Sequence, residues 1–207
     1  FVQEEKNNDK NQIINEKSDK SSFKYGQQFD LFAAPGSGNV EEITEQKNIK
    51  NYEHLYQSVN TNLGRKLLLD SLLLENHVCF DTETTSLNAL NTQLVGIAFS
   101  WSPGKGYYLS MPEDRDEVIF ILEPFKKFFE NSKIEKIGHN LKFDLKVLKQ
   151  YGITVKAPLF DTMIAHYLIN PDMRHSMDVL AKTYLNYNSQ PISDLIGKKG
   201  KDQKSMR

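Results

Sequence analysis

The chain has 207 residues, of which 39% are apolar and 26% charged, with a formal net charge of −1. That length allows one good-sized hydrophobic core with residues to spare, and the near-neutral balance argues against a uniformly basic, non-specific nucleic-acid binder. The single cysteine, Cys79, excludes an intrachain disulfide framework and fits a reducing cytoplasm, and no apolar run of about 18 residues marks a membrane helix.

Residues 1–50 are rich in Asn, Lys, Glu, Asp and Gln. Such a segment buries too little surface to offset its ordering entropy and reads as a flexible linker. One island interrupts it, Gln28-Phe29-Asp30-Leu31-Phe32. The chain opens on Phe1 rather than Met and has no secretory signal, the pattern of a piece cut from something longer.

A folded domain is expected over residues 51–207. Residues 52–56 read as a short strand, and Thr61 as the cap of a helix reaching about Leu74, with Leu67, Leu68, Leu69, Leu72, Leu73 and Leu74 as a broad apolar face. Residues 77–80 form a short buried strand ending at Asp81. Residues 94–101 and 107–111 make two more strands about a Pro103-Gly104-Lys105-Gly106 turn. Asp116 is expected to open one helix running to Phe129. Residues 136–138 are a brief strand, and 141–151 a helix with apolar residues at 141, 145 and 148. A last strand at 159–160 precedes helices from about Thr162 and Ser176. Three strands close together, then strands alternating with helices, fit an α/β mixed sheet flanked by helices. Residues 133–207 hold 13 basic against 7 acidic residues, with Lys198, Lys199, Lys201, Lys204 and Arg207 at the end. That excess is either a solvated tail or a contact for phosphates.

Asp81-Thr82-Glu83 follows the apolar strand. Residues i and i+2 of an extended segment share a face, so Asp81 and Glu83 make a concentrated negative site of the kind hard Mg²⁺ or Mn²⁺ ions take; a pair of solvated loop acids is the plainer alternative. In Gly138-His139-Asn140-Leu141-Lys142-Phe143-Asp144 a strand gives way to a helix. Asp144 falls in the first turn, where its charge suits the macrodipole, and Asn140 reads as an N-cap, a ligand contact, or both. Asp161 looks like a fourth ligand, but helix capping accounts for it better. His139, His166 and His175 have no zinc spacing.

Asp81-Thr82-Glu83-Thr84-Thr85-Ser86-Leu87 resembles the first motif, and His139-Asn140-Leu141-Lys142-Phe143-Asp144 the second, of the 3′→5′ exonuclease domain of bacterial DNA polymerase I. The likeness extends over residues 94–100, Phe160-Asp161-Thr162-Met163, Arg174-His175-Ser176-Met177-Asp178 and the Gly197-Lys198-Lys199-Gly200 loop, or roughly residues 52–203. It implies a ribonuclease H-like fold and a proofreading nuclease with two Mg²⁺ or Mn²⁺ ions about 3.5–4 Å apart. By the same resemblance Asp81 bridges both ions, Glu83 serves the one holding the attacking water, and Asp144 serves the other. Thr82, Leu87, Asn140, Phe143 and Arg174 would line a channel for a single-stranded DNA 3′ end, with Leu87 as a wedge. The partner in the parent chain would be a polymerase domain, in the bacterial cytoplasm. Gln28, Leu31 and Phe32 resemble the peptide by which bacterial DNA enzymes hold the sliding clamp; a local cluster docking back on the domain is the alternative.

The third motif of this family, Tyr-x-x-x-Asp, is absent from the 207 residues: Tyr184 is followed four places on by Asn188, and Tyr187 by Pro191. The fold is therefore expected to be C-terminally incomplete and the isolated chain weakly active or inactive. A non-catalytic brace for a polymerase and an RNA-trimming exonuclease like ribonuclease D remain as alternatives.

Overall fold

The computed structural model describes residues 45–197. Six strands, β1 (Leu55–Val59), β2 (His77–Thr84), β3 (Leu94–Ser102), β4 (Lys105–Ser110), β5 (Glu135–Gly138) and β6 (Leu159–Asp161), form one sheet in the order β1-β4-β3-β2-β5-β6. β2, β3 and β4 pair antiparallel, while β5 and β6 continue parallel to β2, and β1 lies parallel to β4 at the far edge. Parallel neighbours need crossover segments. Here these are α1 (Asn62–Leu72), then α2 (Arg115–Leu122) and α3 (Lys126–Phe129), then α4 (Lys142–Gln150). After β6 come α5 (Thr162–Ile169), α6 (Met177–Leu185) and α7 (Ile192–Ile196). This is the mixed α/β sheet with flanking helices that the pattern of elements predicts. Among the described residues no helix is long and apolar enough to cross a membrane.

The strands' period of two decides which residues enter the core. On β2, Val78, Phe80 and Thr82 are buried, whereas Cys79, Asp81 and Glu83 take the other face. On β3, Val95, Ile97 and Phe99 point into the core. There Phe99 meets Phe128 with ring centroids 5.8 Å apart, and Phe80 meets Phe129 at 5.4 Å, both edge to face. Edge-to-face pairs place the positive rim of one ring on the negative face of another, beyond what area burial supplies. Lys136 is also fully buried; its Nζ donates to the carbonyls of Asn131 and Lys156, tying the start of β5 to neighbouring loops.

Several boundaries differ from the sequence expectation. β1 starts at Leu55 rather than 52, because its register is set by pairing with Lys105 through Leu109 on β4. β2 does not stop before Asp81 but runs to Thr84, since β3 pairs with it as far as Glu83 and, after a register shift, Thr84. The helix expected over 116–129 is capped by Asp114, whose side chain accepts from the Glu117 N–H at 2.8 Å. A 3₁₀ turn over Glu123–Phe125 then breaks it, where Pro124 supplies no N–H to an α-helical bond. Thr61 caps α1 as expected, accepting from the Gly64 N–H at 3.1 Å. Of the leucines assigned to its apolar face, Leu67 and Leu74 are exposed.

Truncating Phe128, which is fully buried, should cost about 3–5 kcal/mol of unfolding free energy in a urea titration. Phe120→Ala, at a side chain 77% exposed, should cost about 0.5 kcal/mol or less. Equal losses would show that the core does not sit on this face.

Candidate active site

β5 pairs with β2 only along His77–Cys79. Beyond that point β2 continues with β3 on one side and no strand on the other. The first turn of α4 arrives there. Asp144, 2% exposed, accepts the backbone N–H of Thr82 at 2.9 Å and the Thr82 hydroxyl at 2.5 Å. A carboxylate thus takes the place a ladder partner from a longer β5 would have held, and it lies beside the residue that separates Asp81 from Glu83.

The turn into α4 is built to deliver Asp144. A Cβ at Gly138 would overlap the Leu141 side chain, so the backbone can fold back only where no side chain stands. Asn140 adopts a left-handed φ of 68°, a region that Asn tolerates better than most residues. It is therefore not the N-cap of α4; that position falls on Leu141, which makes no side-chain cap bond. Asp161 closes the turn. Its carboxylate accepts from the N–H groups of Asn140 (3.1 Å), Leu141 (2.8 Å), Met163 (2.9 Å) and Ile164 (3.3 Å), so it fixes the entry to α4 while capping α5. Partial burial opposes ionisation, but these four donors win and hold its carboxyl below the ordinary range. The capping role expected for Asp161 is what the structure shows.

The three acids stand close enough to perturb one another. Burial, then the charges of Asp144 and Glu83, push Asp81 up to about 7. Glu83 is raised by burial and then by Asp144. Asp144 is raised by burial in spite of the donors from Thr82. Among the described residues the ion pairs are Lys66–Asp70 and Lys126–Glu123, neither of which touches these acids. The donor set is all hard oxygen, suited to Mg²⁺ or Mn²⁺. Among the described residues, however, no three Asp, Glu, His or Cys side chains stand in an arrangement ready to grip one ion. The reason is visible in the strand: Asp81 and Glu83 project from one face, while Asp144 is held at the strand edge by Thr82.

The other residues singled out in the sequence fall as follows. Leu87 is 95% exposed, at the tip of a loop whose neck is closed by the Thr92 hydroxyl, which accepts from Ser86 N–H at 2.9 Å, and by Thr85 N–H on the Gln93 carbonyl. Thr92 carried no signal in the sequence, since a polar loop residue gives no hint of a bond made six residues back. Phe143 is partly buried against the core, Asn140 is half-buried beside Asp161, and Arg174 is exposed. Thr82, expected to face substrate, is instead 6% exposed and committed to Asp144. Gln28, Leu31 and Phe32, and the basic cluster from Lys198 to Arg207, lie outside the described residues.

Residues 56–206 match the family described as 3′-5′ exonuclease, of the DNA polymerase A type. The chain belongs to that family. The exonuclease-family chain is 35% identical to DNA polymerase I of Borreliella burgdorferi over 170 residues, 79% of this chain and 18% of that protein. It is also 35% identical to DNA polymerase I of Pseudomonas aeruginosa over 136 residues, 60% of this chain and 15% of the relative. It therefore spans less than a fifth of the length of these curated relatives. The fold is shared with the catalytic core of RRP6 from Trypanosoma brucei, at a TM-score of 0.57 and 20% identity over 76% of this chain and 41% of that one. It is shared too with Brucella melitensis NrnC with bound Mg²⁺, at 0.54 and 23% over 72% and 69%.

The raised acid predicts how stability of this exonuclease-family chain varies with pH. Asp81 has a native pKa of about 7 against an ordinary 3.8, so the native state binds the extra proton between those values. Its stabilising contribution is complete below the lower value and is lost as pH rises through the upper one. In EDTA, Asp81→Asn should therefore stabilise the chain near pH 8, on the order of 1 kcal/mol after discounting for solvent screening, and give no gain near pH 4. An equal gain at both pH values in thermal melts would exclude the raised pKa of Asp81, which burial causes first and the neighbouring acids second.

Proposed function

We propose that this chain is the proofreading 3′→5′ exonuclease module of a cytoplasmic bacterial family A DNA polymerase, with Asp81, Glu83 and Asp144 as its metal ligands. The observation that carries the assignment is the placing of Asp144 on Thr82, which brings the acid of one segment beside two acids of another, and among the described residues neither ion pair touches these acids. Two Mg²⁺ or Mn²⁺ ions held there would supply Lewis-acid stabilisation of phosphate oxygens and a bound water of lowered pKa. The protein's share is to hold the ligands. Asp81 and Glu83 offer their carboxylates from one face of β2. Thr82 acts through Asp144 rather than on substrate, holding its carboxylate at the strand edge. Leu87 at its loop tip, Asn140, Phe143 and Arg174 would line the path of an unpaired DNA 3′ end, where non-specific packing and backbone contact let any terminal base be removed.

DNA as substrate is favoured by the relatives, which carry the name DNA polymerase I. The polymerase partner would belong to the same parent chain. None of the tyrosines in the 207 residues is followed four places later by Asp, so the chain alone should turn over slowly. Nucleotide release from a 3′-labelled single strand in Mg²⁺ tests this. In the polymerase that carries the chain, Asp81→Ala should slow release by about 100-fold, the scale of losing a metal ligand or its support. An unchanged rate would favour a non-catalytic brace, and faster release from RNA than from DNA of the same sequence would favour the RNA-trimming alternative.

For residues 1–50 we propose a linker whose residues 28–32 bind a bacterial sliding clamp through Leu31 and Phe32. Replacing both by Ala should abolish the rise in fluorescence anisotropy when a labelled chain is titrated with clamp. Binding that survives the double change would end that proposal.

A further inference from the structure

We propose that Tyr108 is a positioning residue for Glu83, reaching it across β3 over the bare backbone of Gly96. The inference rests on the reading of Glu83 as a metal ligand and extends it to a residue outside the exonuclease motifs. Glu83 of β2 stands directly opposite Gly96 of β3, and Asp81 opposite Ala98. On the next strand Tyr108 stands opposite Ala98. Opposed residues of an antiparallel pair share a face, so Asp81, Glu83, Gly96, Ala98 and Tyr108 all lie on the side of the sheet away from the phenylalanine core. The Tyr108 ring does not stay over Ala98. A Cβ built on Gly96 would overlap the phenol oxygen and Cζ of Tyr108, so the side chain runs diagonally across β3 and ends above Gly96.

A glycine inside a strand forgoes side-chain packing and adds to the entropy cost of folding, by about 0.5–1 kcal/mol relative to Ala. Its usual warrant is the close approach of another group, and here that group is a phenol. Cβ positions of opposed residues lie about 4.5–5.5 Å apart, so a hydroxyl occupying the site of a Gly96 Cβ stands within reach of the Glu83 carboxylate, which extends from the opposite Cβ. The phenol can donate to Glu83, fixing which oxygen faces outward, the role that outer partners of carboxylate ligands commonly play. Ring and glycine act together: a side chain at Gly96 displaces the hydroxyl and the ring edge behind it, whereas removing the hydroxyl alone leaves the ring over Gly96 and takes away only the donor.

Mn²⁺ binding to the 207-residue chain, followed by the loss of the free-ion electron paramagnetic resonance signal, tests this with Tyr108→Phe, Glu83→Gln, their combination and Gly96→Ala. Tyr108→Phe should weaken Mn²⁺ binding about 10-fold, and Gly96→Ala, which retains the hydroxyl but moves it, should weaken it in the same direction. The combined variant should bind no more weakly than Glu83→Gln alone, because a positioning tyrosine has nothing to act on once its carboxylate is gone. The proposal is overturned if Tyr108→Phe binds within about twofold of the unaltered chain, or if the two losses multiply, as they would for a tyrosine that merely supports the sheet. If Glu83→Gln and Asp81→Asn leave Mn²⁺ binding unchanged, the metal-ligand reading itself fails and takes this proposal with it, an outcome distinct from failure at Tyr108 alone.

Discussion

The pair of bonds from Thr82 to Asp144 joins the two halves of the site. β2 outruns β5, and a strand that outruns its neighbour leaves backbone N–H groups without ladder partners. One of these is taken by a carboxylate from the first turn of α4. The same contact that satisfies the strand edge therefore sets an acid from residue 144 beside acids from 81 and 83. Structural economy and site assembly come from one geometric fact, the difference in length between two parallel strands.

Two kinds of carboxylate result, and their surroundings separate them. Asp161 is met by four backbone N–H groups, which favour its charged form, and it serves as the brace of the α4 and α5 entries. Asp81, Glu83 and Asp144 are partly or fully withdrawn from water, and the charge of Asp144 bears on both of the others, so each is harder to ionise than it would be in solution. Repulsion of that kind lowers the stability of the folded chain. It persists because β2 and α4 are anchored elsewhere, by Val78 and Phe80 along the strand and by Val147 and Leu148 along the helix, all buried in the same core. A rigid apolar scaffold holding strained polar groups is the arrangement expected where a site must be pre-organised.

The likeness to RRP6 and NrnC at 20% and 23% identity shows how little of the sequence the sheet order requires. What the fold asks for is alternation on β2 and β3, a crossover of adequate length, and a core of the right volume. The assignment to the exonuclease family of DNA polymerase A type rests instead on the match across residues 56–206. The substrate and partner proposed above therefore rest on the motif residues and on the relatives' names, and the sheet by itself does not choose between DNA and RNA.

The elements with strong local signals were legible in the amino-acid order: the apolar run of β3, the Thr61 cap of α1, the short β5 and the cap at Asp161. So were the acids, because Asp81 and Glu83 at i and i+2 share a face in any extended segment. The far end of β2 was not legible, since Asp81 and Glu83 disfavour a strand that the two threonines favour, and pairing with β3 decides between them. The break after α2 does have a sequence signal in Pro124, which the expectation of one helix over 116–129 left out of account. What tertiary structure alone decided is which polar group meets which: that Thr82 turns inward to Asp144, that Asn140 takes a left-handed turn instead of capping, and that Tyr108 lies across Gly96. Local order specifies the face on which a side chain emerges. The partner it finds depends on strand register and on where neighbouring strands end, which are properties of the assembled sheet.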